Sequence, residues 1–189
     1  MDTIRTGRLE LVPLTGPFIE AVRGGNVAAA EREIGAGVSR WLTIDSTHLV
    51  QLNLAQRTAD AVGLETAGWA MVLGARTGSG RVIGSIGFHG PPDDRGRLEL
   101  GYAVDPAFSR EGYAAEAMTA LFDWAATRYG ITGFLVSVPS SHEPSRPASI
   151  EVWFSEAESR SDQIEALGLA LEAATCEFPR RTAGRVWRR

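Results

Sequence analysis

Between Gly101 and Ala114 the chain reads Gly-Tyr-Ala-Val-Asp-Pro-Ala-Phe-Ser-Arg-Glu-Gly-Tyr-Ala. The polar–apolar alternation up to Val104 predicts a strand, and a short loop then leads to Gly112. Beyond it, Ala114, Ala117, Met118, Leu121, Phe122 and Ala125 recur at helical spacing. The first turn of a helix carries free backbone N–H groups and the positive end of its dipole. A glycine there lets an anion approach the main chain closely. The segment is therefore a candidate for holding a phosphate or diphosphate. The same spacing also serves a plain strand–loop–helix connection, and one glycine does not decide between the two.

The elements around this segment follow from local patterns. Arg8 to Leu14 alternates and is stopped by Pro13, as expected of a short first strand at a sheet edge. Helical stretches are expected from Phe18 to Val22, broken by Gly24-Gly25, then from Val27 to about Ile34, and from Leu49 to Thr58. Trp69 to Leu73 is a compact apolar run, and Thr77 to Gly80 is a turn by composition. Arg81 to His89 reads as a strand with Val82, Ile86 and Phe88 on one face and Ile83, Ser85 and His89 on the other. After the loop Gly90–Gly96, Arg97 to Val104 is the next strand. It has Leu98, Leu100, Tyr102 and Val104 on one face and Glu99, Gly101 and Ala103 on the other. Trp69 to Val104 thus reads as an antiparallel meander. The long helix ends near Tyr129, with Gly130 placed to terminate it. Phe134 to Val138 is a following strand, closed by Pro139. Strands, a long helix and a returning strand make the fold class α+β or mixed α/β. Ile150 to Phe154 fits a strand or a helix start, Ile164 to Ala174 is helix-like, and Arg185 to Arg189 fits a last strand.

Composition narrows the function classes. The chain has 189 residues, 44% hydrophobic and 22% charged, which suits one globular domain and not a disordered chain. No run approaches the roughly 18–20 apolar residues of a membrane helix. Met1 to Arg8 has no apolar core of a signal peptide. The single cysteine, Cys176, offers neither an internal disulfide nor a paired-cysteine zinc site. These features point to the cytoplasm. All 19 basic residues are arginine, and five of them (Arg180, Arg181, Arg185, Arg188, Arg189) crowd the last ten positions. The first 179 residues then carry 14 arginines against 23 acids, a formal charge of −9. Such a body disfavours nonspecific nucleic-acid binding and suits a cationic substrate such as an amine. The basic tail fits either a solvated end or a contact with phosphate or RNA.

Ser109-Arg110-Glu111-Gly112-Tyr113-Ala114 resembles the acyl-CoA loop, Arg/Gln-x-x-Gly-x-Gly/Ala, of the GCN5-related N-acetyltransferases (GNAT). Glu99 to Pro106, Ala115-Glu116-Ala117, the strand Val82 to Phe88 and the opening Arg8 to Leu14 are similar to the branch of ribosomal-protein N-terminal acetyltransferases. The resemblance runs from about residue 3 to residue 138 and treats 1–189 as one domain whose 139–189 portion has diverged. It implies a mixed, mostly antiparallel central sheet flanked by helices, with an atypical C-terminal quarter. It also implies acetyl-CoA as co-substrate, lying where the Gly101–Val104 strand splays from the Phe134–Val138 strand. The pantetheine arm would pair with backbone at Ala103 and Val104, like an added strand. The diphosphate would rest on the amides of Arg110, Glu111, Gly112, Tyr113 and Ala114. Ser109 stands where the family has Arg or Gln, so one cation is missing from the pattern.

The implied reaction is attack of a neutral amine on the thioester within a ternary complex, with no covalent enzyme intermediate and no metal. A primary amine is mostly protonated near neutrality, so a base is required. Glu99 matches the position where this branch often has a glutamate. An ordinary Glu has a pKa of about 4.3, so burial would have to raise it or water would have to relay the proton. Glu99 also fits a cross-strand or surface acid. His89 ends the neighbouring strand and can approach Glu99 across the hairpin, to bind substrate or share the base role. Phe88 is a candidate to line the acceptor pocket, as is Trp69, although aromatics at strand spacing usually belong to a core. A backbone N–H near Ala103 would stabilise the developing oxyanion.

The departing thiolate can use an acid, and here the pattern breaks. The family's Asn-x-x-Ser fits in two registers, His142-Glu143-Pro144-Ser145 or Arg146-Pro147-Ala148-Ser149 with Ile150-Glu151-Val152 continuing a helix. Neither keeps the Asn. Ser145 is the candidate acid. The family's Leu-Gly-Phe turn is absent at its usual spacing. Two functions follow: an N-acetyltransferase acting on a protein N-terminus, a small-molecule amine or an aminoglycoside, or a non-catalytic acyl-CoA-binding or interaction protein with a degenerate C-terminal half of the site. The first expects an amine acceptor as partner, no membrane, and a monomer or homodimer.

Overall fold

The computed structural model describes residues 3–44, 68–74, 79–138 and 148–153. Among the described residues, eight strands form one sheet: β1 (Ile4–Arg5), β2 (Leu9–Pro13), β3 (Gly37–Val38), β4 (Gly68–Leu73), β5 (Arg81–Phe88), β6 (Arg97–Val104), β7 (Gly133–Val138) and β8 (Ala148–Trp153). Their spatial order is β1-β2-β4-β5-β6-β7-β8, and β3 pairs with β5 beside this path. The β4–β5–β6 meander is antiparallel throughout, as its alternation implies. Two pairs are parallel, β3 with β5 and β6 with β7. The second needs a crossover, which the helix α4 (Tyr113–Tyr129) supplies.

The helices cap themselves by residue type. α1 (Gly16–Arg23) starts on Thr15, whose side chain accepts from Phe18 N, and has a proline in its first turn. α2 (Val27–Ile34) starts on Asn26, which accepts from Ala29 N, and ends at Gly35 with φ 69°. A short α3 spans Trp41–Ile44. These three cover one face of the sheet, where Phe18, Ile19, Val22 and Leu42 pack on Ala70, Val72 and Val82. α4 covers the other face. Its Met118, Leu121 and Phe122 pack on Leu9, Leu11, Trp69, Met71, Ile86, Leu100 and Phe134.

Three expectations change. β2 is not the sheet edge, because β1 pairs outside it through Ile4–Leu11 and Arg5–Glu10. Pro13 lies beyond the reach of β1, so its missing N–H costs the sheet nothing on that side. Second, Val82 and Ile83 exchange faces. Met71 pairs with Gly84 but Val72 pairs with Val82, so Ile83 is an extra residue bulged out of the β4–β5 ladder. The bulge resets the alternation, and Ile83 joins Ile86 and Phe88 on the α4 face while Val82 faces α1–α3. Third, Ala148–Trp153 is a strand antiparallel to β7, so the helical register for Ile150-Glu151-Val152 is not adopted. The helix expected over Leu49–Thr58 and the segments from 154 onward, including Cys176 and the arginine tail, lie outside the described residues.

Candidate active site

The β6–β7 ladder runs only from Arg97–Gly133 to Leu100–Val136. β6 continues to Val104 and β7 to Val138 without pairing to each other. Past Leu100 the edge of β6 toward β7 is not laddered to that strand. Tyr102 and Val104 direct their N–H and C=O to that edge, whereas Ala103, like Glu99 and Asp105, directs its own to β5. On its other edge β6 is held firmly. Gly84 pairs with Val104 and Ser85 with Ala103. Gly84 makes that approach possible: a Cβ there would collide with the carbonyl oxygen of Ala103 and stand 2.8 Å from Met71 Cε.

The chain then turns into α4. The buried Asp105 carboxylate accepts from Ala107 N at 3.0 Å and from Ser39 Oγ at 2.9 Å, tying the end of β6 to the segment after β3. A single 3-10 turn over Pro106–Phe108 follows. Ser109 donates its hydroxyl to the Asp105 carbonyl at 3.4 Å, turned back on the loop. Arg110 and Gly112 both have positive φ, 71° and 76°. Gly112 is the first cap of α4, and no side chain caps the helix. Among the described residues, the amides of Arg110, Glu111, Gly112, Tyr113 and Ala114 reach no main-chain acceptor. That run of N–H groups at the start of a 17-residue helix is suited to an anion of several oxygens.

One contact at this loop has no local signal in the sequence. Arg8, just ahead of β2, donates from its main-chain amide to Glu116 Oε1 at 2.7 Å and from Nε to Oε2 at 2.6 Å. Its Nη1 donates to the Glu111 carbonyl at 2.8 Å, and its guanidinium lies over the Tyr113 ring at 4.4 Å. Thr6 Oγ1 donates to Glu116 Oε1 at 2.6 Å. Partial burial pushes the Glu116 carboxyl upward, but the Thr6 hydroxyl, the Arg8 amide and the guanidinium outweigh it and hold it below its ordinary range.

Glu99 and His89 come together as the hairpin implies. His89 N donates to the Glu99 carbonyl at 2.8 Å, and Nδ1 stands 3.9 Å from Oε1. The Glu99 side chain is 45% exposed and that of His89 10%. Burial lowers the His89 pKa, against an opposing pull from Glu99, so the imidazole is neutral at pH 7. Its Nε2 is buried with no hydrogen-bond partner among the described residues. The hairpin loop is clamped four residues after His89 by Asp93, which accepts from Arg95 N and Arg97 N and takes the Arg97 guanidinium at 2.7 and 2.8 Å. Hydrogen bonds from Arg97 hold the Asp93 pKa at about 2.

By strand alternation Glu99, Gly101 and Ala103 face away from α4, since Leu98 and Leu100 belong to the core beneath it. Phe88 lies with that core. Its ring meets Trp69 edge-on at 6.1 Å and stacks near Phe134 at 6.3 Å, so the structure does not bring it to Glu99. Trp69 is likewise fully buried. Ser145 lies outside the described residues. Among the described residues, no three His, Cys, Asp or Glu side chains are grouped to hold a metal, and no helix is long and apolar enough to cross a membrane.

Residues 36–154 match the family model described as an acetyltransferase (GNAT) domain. The uncharacterized N-acetyltransferase YjdG of Bacillus subtilis (strain 168) is 40% identical over 47 residues, which cover 25% of this chain and 28% of that protein. An acetyltransferase from Agrobacterium tumefaciens str. C58 is similar in structure with a TM-score of 0.51. It is 23% identical, over 82% of this chain and 95% of that one. A GNAT-family acetyltransferase from Bordetella pertussis gives a TM-score of 0.48 at 22% identity, over 77% and 83%.

Proposed function

Because the chain belongs to the GNAT acetyltransferase family, whose members take acetyl from acetyl-CoA, we propose that it transfers acetyl to a primary amine by direct attack in a ternary complex. The observation that carries this is the β6–β7 ladder stopping at Leu100–Val136 beside the uncapped start of α4. An extended pantetheine arm fits the open edge alongside Ala103 and Val104, where the main-chain groups directed outward are those of Tyr102 and Val104, and a diphosphate fits the amides from Arg110 to Ala114. A main-chain N–H of the β6 edge near Ala103 would face the thioester oxygen.

The amine nitrogen attacks the thioester carbonyl carbon, the C–N bond forms, and the oxyanion collapses with cleavage of C–S. The proton lost by the amine passes to Glu99, directly or through water, and the CoA thiolate takes a proton from an acid. Ser145 is our assignment for that acid. His89 stands beside Glu99 with Nδ1 toward the carboxylate, placed to share the base role. The acceptor is an amine of a protein N-terminus or a small molecule, reached through a body whose net negative charge favours cations.

One observation favours a second reading. Ala148–Trp153 is a strand where one register of the family pattern calls for a helix, which accords with an acyl-CoA-binding protein that has lost part of its catalytic half. Release of CoA thiol against a panel of amines, wild type beside Glu99→Gln, separates the two. Turnover by wild type that falls in the variant supports transfer. Acetyl-CoA binding without turnover on any amine supports the second reading.

A further inference from the structure

We propose that Arg8 is the positioning residue of the diphosphate loop, a role that rests on the acetyl-CoA reading given above. The guanidinium grips the loop from two sides. Nη1 takes the carbonyl of Glu111 and Nε takes the carboxylate of Glu116, one turn into α4. In a trans peptide the C=O and the following N–H point in opposite directions. With the Glu111 carbonyl fixed on Arg8, the Gly112 N–H is turned away from the guanidinium and kept available. Released, that carbonyl is free to rotate with the peptide and present an oxygen where the anion's oxygens belong.

Charge leads to the same residue. The loop starts with Ser109 instead of the arginine or glutamine of the pattern it resembles, and the Ser109 hydroxyl is spent on Asp105. Glu111 and Glu116 are acids at a place meant for an anion. Arg8 neutralises Glu116, and its remaining nitrogen Nη2 lies 3.5 Å from where a Gly112 Cβ would stand. A cation delivered from just ahead of strand β2 thus stands beside the loop that lacks one of its own. Lysine cannot replace it. One ammonium does not reproduce the planar fork that reaches a carboxylate and a carbonyl together while lying flat on Tyr113.

The test measures Kd by calorimetry for CoA and for pantetheine, which lacks the diphosphate and nucleotide, on wild type and Arg8→Gln. Loss of charge-assisted hydrogen bonds should weaken CoA about tenfold in Arg8→Gln and leave pantetheine unchanged. In turnover, KM for acetyl-CoA should rise while kcat holds. If Arg8→Gln does not fold, Arg8→Lys is read on the same ratio, with CoA weakened several-fold and pantetheine unchanged. Equal weakening of both ligands means that Arg8 supports the fold in general and overturns the inference, as does unchanged CoA affinity. A wild-type protein that binds no CoA removes the acetyl-CoA reading itself, and the inference with it.

Discussion

His89 Nδ1 stands 3.9 Å from Glu99 Oε1, and the same two residues are joined by a main-chain hydrogen bond of 2.8 Å from His89 N to the Glu99 carbonyl. The pair sits at the mouth of the β5–β6 hairpin, whose loop is closed by Asp93 and Arg97. An exposed carboxylate is thereby kept beside a buried, neutral imidazole. This arrangement gives the candidate site its one proton-handling pair among the residues we assign to it.

If Glu99 takes the amine proton, Glu99→Gln should lower kcat by about a hundredfold or more, the usual scale for loss of a general base. KM for acetyl-CoA should stay within about twofold, because the side chain points to the face opposite α4 and touches no loop amide. Steady-state thiol release checks this. A variant with full kcat would remove Glu99 from the mechanism.

The pH dependence of stability follows from His89 and Glu116. The folded His89 pKa lies below its ordinary 6.5, so the unfolded chain binds more protons in the window just below that value. Stability therefore falls as pH drops from about 6.5 toward the folded His89 pKa. Glu116 has a depressed folded pKa, so its contribution is present above 4.5 and is lost as pH falls through the folded value. Thermal melts from pH 7.5 to 4 should show Tm declining in two stages. His89→Asn should flatten the upper stage alone, and an unchanged profile in that variant would contradict the burial argument.

Gly84 has a different role from Gly112. Gly84→Ala places a methyl against the Ala103 carbonyl and Met71 Cε. Overpacking of this kind costs about 1–3 kcal/mol, so Tm should drop by several degrees. The displaced strand is the one proposed to bind pantetheine, so acetyl-CoA affinity should fall as well. Chemical denaturation and calorimetry on one preparation test both.

Much of the fold is written in short-range periodicity. The meander, the long helix from Tyr113 and its stop at Gly130 follow from alternation, from 3.6-residue spacing and from glycine. What fails to show is set by distant partners. The edge position of β1 depends on two residue pairs, too few to leave a pattern. The bulge at Ile83 depends on the register of β4. In the site, the loop and the His89–Glu99 approach are legible because each is local or joined by one hairpin. Arg8 is not, since it meets Glu116 across 108 positions. An arginine beside alternating apolar residues carries no sign of where its guanidinium goes. Phe88, like Trp69, is an aromatic at strand spacing that fits either a pocket or a core, and the pleat turns it under α4.

The central claim is that main-chain amides at the start of α4 hold the diphosphate of acetyl-CoA, and Gly112 is where it is most exposed to test. Its φ of 76° suits glycine, and a β-branched residue there would be strained by about 1–3 kcal/mol or would turn the peptide. Titration calorimetry with acetyl-CoA should show one site on the wild-type protein, and binding weakened at least tenfold in Gly112→Val that keeps its far-UV dichroism. Equal affinity in the folded variant, or no heat from the wild-type protein, would contradict the claim.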